Sequence, residues 1–257
     1  MNAGIIITAR LKSTRLPKKV IRRIMGRPMI CHMLDRLKLA RYPQRIVICT
    51  STASQDDPLE EIAAQESVCC FRGHPDDVLE RMTSAADEFK LDVIVSCTAD
   101  NPFVDPIYID RLVHFHLRHN YDYSKTLGLP WGTFSYVLCH RAMVRACEIK
   151  AERDTEVWGG YFTGHDEFSC GVLKVDDSKV SWPELRLTVD TPEDFELVSR
   201  IFENLYRPSE VFPLSSIVDL CRRRPDLVEI NKHISQKPGR PIRLKPGTMK
   251  GTDVTVH

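Results

Sequence analysis

Over roughly its first 118 residues this chain alternates short apolar runs with amphipathic ones, and few folds accommodate that. Residues 5–9, 45–52, 68–72 and 92–100 are nearly continuous apolar stretches, the pattern of strands buried on both faces of a parallel sheet. Between them apolar residues recur at helical spacing: Met29, Ile30, Met33, Leu34 and Leu37 in 29–39, then 58–66, 77–89 and 107–118. Pro58 opens the second of these helices and Asp76 is the expected N-cap of the third. A β-α-β-α-β-α-β-α order requires right-handed crossovers and a sheet covered by helices on both sides.

The remainder is less regular. Residues 121–126, 133–138, 168–175 and 185–189 read as strands, and 141–150 and 152–162 as helices. Thr191, Pro192 and Asp194 form a helix start with a capping box, and that helix runs to about residue 206. A further helix is expected over 214–222, followed by a Pro-, Gly- and Lys-rich end, QKPGRPIRLKPGTMKG, that reads as a mobile or edge-lying arm. The expected organisation is one catalytic unit over 1–207 and a C-terminal helix with a basic tail over 208–257.

Charge and cysteine content narrow the function classes. The net charge of the 257 residues is +1, so no global field recruits nucleic acid or an anionic membrane, and any cation cluster acts locally. No run reaches the ~18–20 apolar residues of a membrane span. The N-terminus lacks the layout of a signal peptide, and the expectation is a cytoplasmic protein. Nine cysteines, an odd number with no C-x-x-C pair, suggest neither a disulfide framework nor a zinc site.

One local cluster stands out. Arg10, Lys12, Arg15, Lys18 and Lys19 follow the first strand, with Ser13 and Thr14 among them, and Pro17 forbids a helix through the middle. A cationic loop at the carboxyl edge of a parallel sheet suits a polyphosphate; the alternative is a solvated basic loop. Asp100 and Asp190 each follow an apolar strand and point off the same edge. Two carboxylates with phosphate oxygens and water make the hard-oxygen surroundings magnesium prefers. Taken singly, Asp100 is equally a turn former and Asp190 a helix-flanking acid.

These residues resemble a known family. Residues 10–20 (RLKSTRLPKKV) look like the signature of the CTP-dependent sugar-acid cytidylyltransferases, which include the CMP-Kdo and CMP-acylneuraminate synthetases, and above all of the spore coat polysaccharide protein F branch. The likeness continues through Gly26-Arg27-Pro28, IVICTST with Asp56-Asp57-Pro58, FRGHPDDVLERM at 71–82, DVIVSCTADNPFVDP at 92–106 and LRLTVDTPEDFELV at 185–198. It implies a Rossmann-like three-layer α/β/α nucleotidyltransferase fold with a mostly parallel sheet and an inserted dimerisation or acceptor element, placed at 121–165.

The resemblance also implies roles. Ala9, Arg10, Ser13, Arg15 and Lys19 would hold the CTP triphosphate, with Arg15 and Lys19 acting on the α-phosphate and leaving group. Arg72 and Asp77 would lie near cytosine and ribose, and Thr98 and Ala99 near the nucleoside. Asp100 and Asp190 would ligate Mg2+, with Asp100 counted among the catalytic residues. The reaction implied is transfer of CMP to a small polar acceptor with release of pyrophosphate, by a homodimer. The chain departs from the spore coat pattern at 127–138 (LGLPWGTFSYVL), where acids facing the acceptor are replaced by none, and at Asn101. Acceptor contacts are therefore expected from Lys125, Trp131 and Arg153, with Trp158 read either as a contributor or as core. A nucleotide-sugar glycosyltransferase is the alternative on a related sheet, although Thr98-Ala99-Asp100 offers one acid where such enzymes place two. A binding protein without turnover is the third reading.

Overall fold

The computed structural model describes residues 1–236 and 241–246. Strand β1 (Ala3–Thr8) sits between two parallel neighbours, which is why it has no polar face: Ile5, Ile6 and Ile7 are all fully buried. A short hairpin, β2 (Arg23–Ile24) and β3 (Arg27–Pro28), turns at Met25 and Gly26, both with positive φ, the backbone a two-residue hairpin needs. Helix α1 (Met29–Leu37) follows, then β4 (Arg45–Ser51), α2 (Asp57–Gln65), β5 (Cys69–Gly73), α3 (Val78–Glu88), β6 (Val93–Thr98) and α4 (Pro106–His119). Next come β7 (Tyr123–Leu127), β8 (Tyr136–Cys139), α5 (His140–Ile149), α6 (Gly160–Thr163), β9 (Cys170–Lys174), α7 (Pro192–Leu205), α8 (Leu214–Arg223) and α9 (Pro225–Glu229).

The seven-stranded sheet has the order β5-β4-β1-β6-β8-β7-β9. β8 runs antiparallel to both β6 and β7, whereas β5-β4-β1-β6 and β7-β9 are parallel pairs. The sheet is thus mostly parallel and the class is α/β. The chain winds outward from β1 to β4 and β5, then returns to the other side of β1 with β6. That reversal opens a crevice between the carboxyl ends of β1 and β6, the place where such sheets bind ligands.

Alternate side chains of β1 serve opposite faces. Ala3, Ile5 and Ile7 pack with α1, α4 and α7, while Ile6 joins Leu79, Met82 and Met143 of α3 and α5. Leu214, Ile217, Val218 and Leu227 of α8 and α9 belong to the first of these clusters, so the helices after 207 share its core.

Three local expectations change. Asp77, not Asp76, caps α3, accepting from the Glu80 N–H at 3.1 Å. The helix expected over 152–162 shrinks to α6, because Thr155 spends its side chain on Asp77 and Leu79 and its N–H on Asp76. Residues 185–189 form no strand and bridge only at Arg186, opposite Trp131. Trp131 donates to Leu185 O and accepts from Leu187 N, but the chain turns away at Gly132, and Thr133 N, the next donor on that side, bonds back to Pro130 O. The capping box at the start of α7 is as expected, with Thr191 and Asp194 bonded reciprocally. Of the basic tail, residues 237–240 and 247–257 lie outside the described residues. Residues 241–246 lie along 149–152, with Ala151 N bonded to Arg243 O at 2.8 Å and Lys245 N to Ile149 O at 2.8 Å.

Candidate active site

The cationic loop is held in place from beneath. Asp56, fully buried, accepts from Leu11 N at 2.7 Å and from the Ser51 hydroxyl, so the loop leaves β1 over the end of β4. Lys18 adopts a left-handed conformation (φ 54°), which turns the chain inward before a single 3₁₀ turn, Lys19–Ile21. Non-glycine residues in that conformation carry strain and recur at functional sites. Here the turn carries Lys19 into the crevice.

Lys19 lies between the two acids singled out by sequence. Its Nζ donates to Asp100 Oδ2 at 3.0 Å and to Asp190 Oδ1 at 2.7 Å. Arg15 Nη2 lies 3.2 Å from the same Asp190 oxygen. Burial pushes the lysine down, but the charges of Asp100 and Asp190 outweigh it, and its pKa ends above the ordinary lysine value. Burial likewise raises Asp190, yet Lys19, Arg15 and Arg186 hold its carboxyl below the usual range. Lys19 is therefore an ammonium and Asp190 a carboxylate through the neutral range.

Asp100 is placed by the turn after β6, where Asn101 N bonds Thr98 O at 3.0 Å and Asn101 Nδ2 bonds the Thr98 hydroxyl at 2.7 Å. Val189 N donates to Asp100 O at 2.8 Å, and this bond fixes the two acidic segments side by side. Gly132 makes the approach possible: its φ is +92°, and a Cβ there would stand 2.5 Å from Thr188 N.

The other expected nucleotide residues surround this point at different depths. Ala9 and Ala99 are buried and spend their N–H groups on Cys49 O and Thr8 O, so they extend the sheet edge. Ser13 and Thr98 are half-buried at the crevice. Arg10 reaches across to the turn before α3, bonding Pro75 O and Asp76 Oδ1, and lies 3.9 Å from Glu156. Arg72 is tied to Asp57 at 2.6 Å and Glu60 at 2.9 Å, and donates to the carbonyls of Ser51 and Ala53. Asp77 is turned inward: besides Glu80 N, it accepts from the Thr155 hydroxyl at 2.9 Å and from Lys150 Nζ.

The expected acceptor residues lie on separate segments of the chain. Lys125 is half-buried on β7, opposite Tyr136 and Val172. Trp131 is 38% exposed and begins a run of ring contacts through Phe134 and Tyr136 to Trp158, which is core. Arg153 is exposed on the segment that Asp77 and Thr155 pin down.

Sequence reasoning missed Arg186 and Asp194, which brace Asp190 from behind. Arg186 Nε and Nη2 donate to the two oxygens of Asp194, each at 2.9 Å, and Nη2 also reaches Asp190 Oδ2 at 3.1 Å. The four-residue spacing of Arg186, Asp190 and Asp194 was the available signal.

The donor chemistry fits magnesium. Two carboxylate oxygens converge on one point at which the protein itself holds a positive charge. Among the described residues no group of three or more His, Cys, Asp or Glu side chains is arranged to hold a metal ion. A hard cation at Asp100 and Asp190 would thus take its remaining ligands from phosphate oxygens and water, as magnesium commonly does. A thiol nucleophile has no support: burial pushes Cys31 and Cys49 up to about 12 and Cys70 and Cys221 to about 11.

Comparison with known proteins bears on this geometry. Residues 4–234 match the family model described as Cytidylyltransferase. The chain belongs to that family. As a cytidylyltransferase it is a nucleotidyltransferase enzyme. It is 30% identical over 227 residues to the spore coat polysaccharide biosynthesis protein SpsF of Bacillus subtilis, covering 86% of this chain and 94% of the relative. It is 33% identical over 130 residues to the 3-deoxy-manno-octulosonate cytidylyltransferase of Chlorobium limicola, covering about half of each, 51% and 52%. Among solved structures, a cytidylyltransferase from Leptospira borgpetersenii superposes with a TM-score of 0.81 at 24% identity, covering 89% of this chain and 97% of that one. The CMP:2-keto-3-deoxy-manno-octonic acid synthetase complexed with CTP gives a TM-score of 0.62 at 13% identity, covering 79% and 99%. At those identities the two structures establish a shared Rossmann-like nucleotidyltransferase fold. Among the described residues of this cytidylyltransferase no helix is long and apolar enough to cross a membrane.

Proposed function

We propose that this cytidylyltransferase transfers CMP from CTP to a sugar acid or related polar acceptor, releasing pyrophosphate, in a Mg2+-dependent reaction of surface polysaccharide or glycoconjugate synthesis. The observation that carries the reading is the convergence of Lys19, Arg15, Asp100 and Asp190 at the crevice between β1 and β6. The names of the relatives support the nucleotide and the acceptor class.

In this reading the triphosphate lies along the loop from Ala9 to Lys19, with Arg10, Ser13, Arg15 and Lys19 facing its oxygens. Thr98 and Ala99 lie against the nucleoside, and Arg72 and the turn held by Asp77 form the rim on the base side. An acceptor oxygen attacks the α-phosphorus in line with the departing pyrophosphate. Lys19 and Arg15 neutralise the charge that grows on the transferring phosphoryl and the leaving group. Magnesium held by Asp100 and Asp190 would supply additional charge neutralisation and polarise phosphoryl oxygens. Lys125, Trp131 and Arg153 border the acceptor side, Lys125 and Arg153 as attractors of an acidic group. Segment 121–165 is the element that would meet a second copy in a homodimer, and the setting would be cytoplasmic.

The test is pyrophosphate release from CTP with 3-deoxy-manno-octulosonate and related sugar acids. Asp100→Asn and Asp190→Asn should each abolish turnover and leave the melting transition cooperative. An unchanged rate in either variant removes that residue from the site.

A further inference from the structure

Asp190 has two carboxylate oxygens, and the fold gives them different partners. Oδ1 faces the crevice, with Lys19 at 2.7 Å and Arg15 at 3.2 Å. Oδ2 accepts from Arg186 Nη2 at 3.1 Å. Arg186 is 8% exposed and is locked on all sides: both Asp194 oxygens take its Nε and Nη2, and Gln236 Oε1 takes Nη1 at 2.5 Å. Asp194 is itself immobile. It is fully buried, accepts from Asn231 Nδ2 at 2.8 Å, and takes the N–H groups of Asp190 and Thr191 at 2.9 and 3.0 Å. A planar guanidinium gripped in this way by one carboxylate presents its remaining Nη2 hydrogen in a fixed direction. That direction is Asp190 Oδ2.

We infer that Arg186 is a positioning residue that withholds Oδ2, so that Asp190 offers a single oxygen to a divalent cation and the site favours small octahedral Mg2+ over Ca2+. The inference rests on the reading of Asp100 and Asp190 as the metal acids. Its physical basis is ligand geometry: magnesium demands near-ideal octahedral coordination with few carboxylates, whereas calcium takes six to eight oxygens and accepts both oxygens of one carboxylate. Freeing Oδ2 allows the second mode. Specificity is a difference of affinities, and here the disfavoured ion is the one that needs the oxygen Arg186 keeps.

The test uses the full chain with Mn2+ as the probe, free Mn2+ being read by electron paramagnetic resonance while Mg2+ or Ca2+ displaces the bound ion. Arg186→Lys keeps the charge but replaces the rigid planar fork with a compact ammonium on a flexible stem, which no longer holds Asp190 Oδ2 in a fixed direction. The expected result is a shift of the Ca2+-to-Mg2+ affinity ratio toward calcium by about tenfold in the variant. A merely structural role for Arg186 would weaken both ions alike, and an unchanged ratio overturns the inference. Where Arg186→Lys does not fold, the pair Arg186→Met with Asp194→Asn removes both buried charges and also frees Oδ2, with the same shift expected. Mn2+ bound undiminished by Asp190→Asn would overturn the metal-acid reading itself, and the inference with it. Loss of Mn2+ in Asp190→Asn with an unchanged ratio in the Arg186 variants rejects only the inference.

Discussion

Replacing Lys19 by Met separates its two jobs. The substitution keeps the alkyl stem and removes the charge that lies between Asp100 and Asp190. Without metal, two carboxylates then face each other across the crevice with only Arg15 and Arg186 to compensate, both from the Asp190 side. The side chains of Lys19, Asp100 and Asp190 are 13%, 26% and 16% exposed, between a surface bridge and a buried one. Breaking a buried pair costs about 3–5 kcal/mol and an exposed one about 0–1, so the loss here is about 2 kcal/mol. For a domain of this size that lowers the melting temperature by about 4–8 °C. The assay is thermal unfolding in EDTA and again in excess MgCl2. Magnesium replaces the missing positive charge, so it should restore several degrees to Lys19→Met and fewer to the wild type. Turnover should move the opposite way, falling about 10²–10³-fold even with metal present, because the ammonium no longer stabilises the transferring phosphoryl. A variant that melts with the wild type in EDTA would refute Lys19 as the counter-ion of these acids. A destabilised variant that magnesium leaves unchanged would refute the acids as a cation site.

Three further outcomes follow from the same contacts. Burial raises Asp190 and Asp194, but Lys19 and Arg186 respectively more than compensate, and both carboxyls sit below their ordinary range. Their contribution to stability is therefore complete above an unfolded pKa of about 4 and is lost as pH falls through the lower folded values. Urea titrations from pH 5 to pH 2 should show this acid loss reduced in Asp190→Asn, and an identical profile would remove Asp190 from the linkage. Thr155→Val deletes the hydroxyl that takes Leu79 N at 2.8 Å and donates to Asp77 at 2.9 Å. Stranding a buried N–H costs about 1–3 kcal/mol, and hydrogen exchange should rise selectively over 149–156; uniform exchange would mean the segment is held elsewhere. Gly132→Ala forces a Cβ into the left-handed region against Thr188 N. It should cost about 1–3 kcal/mol and lower turnover by displacing 186–190, and a neutral variant would show that the segment tolerates movement.

How much of this was legible in the sequence depends on how local its causes are. The inner parallel strands were readable because a strand buried on both faces must be apolar throughout, and Ile5 to Ile7 permit nothing else. The capping box at Thr191 was readable because all its atoms lie within four residues. The helix expected over 152–162 failed for the opposite reason. Thr155 is drawn out of it by Asp77, 78 residues away in the chain, and no window along the sequence contains both partners. Cap choice failed on a smaller scale, since Asp76 and Asp77 are equivalent until His74 Nδ1 accepts their N–H groups and fixes the turn.

The candidate site shows the same division. Residue types at the ends of strands gave the loop cations and Asp100, because strand direction sends them to one edge, whereas Asp190 reaches that edge on a segment that forms no strand and bridges only at Arg186. What strand direction does not give is the relation between them. Lys19 meets Asp100 and Asp190 across 81 and 171 residues, and only the order β4-β1-β6, with the 185–190 segment bonded to Asp100, makes the three neighbours. Arg186 was hidden further still. A charged residue inside an apolar run reads as the solvent-facing side of a strand. In the fold it is a buried guanidinium whose charge is absorbed by Asp194, so the acid at the helix cap and the acid in the crevice are parts of one network. Such a network costs burial free energy, and a hydrophobic replacement often does as well for stability alone. Next to the crevice its effect falls on Asp190: Arg186 holds one oxygen, and Lys19 and Arg15 meet the other.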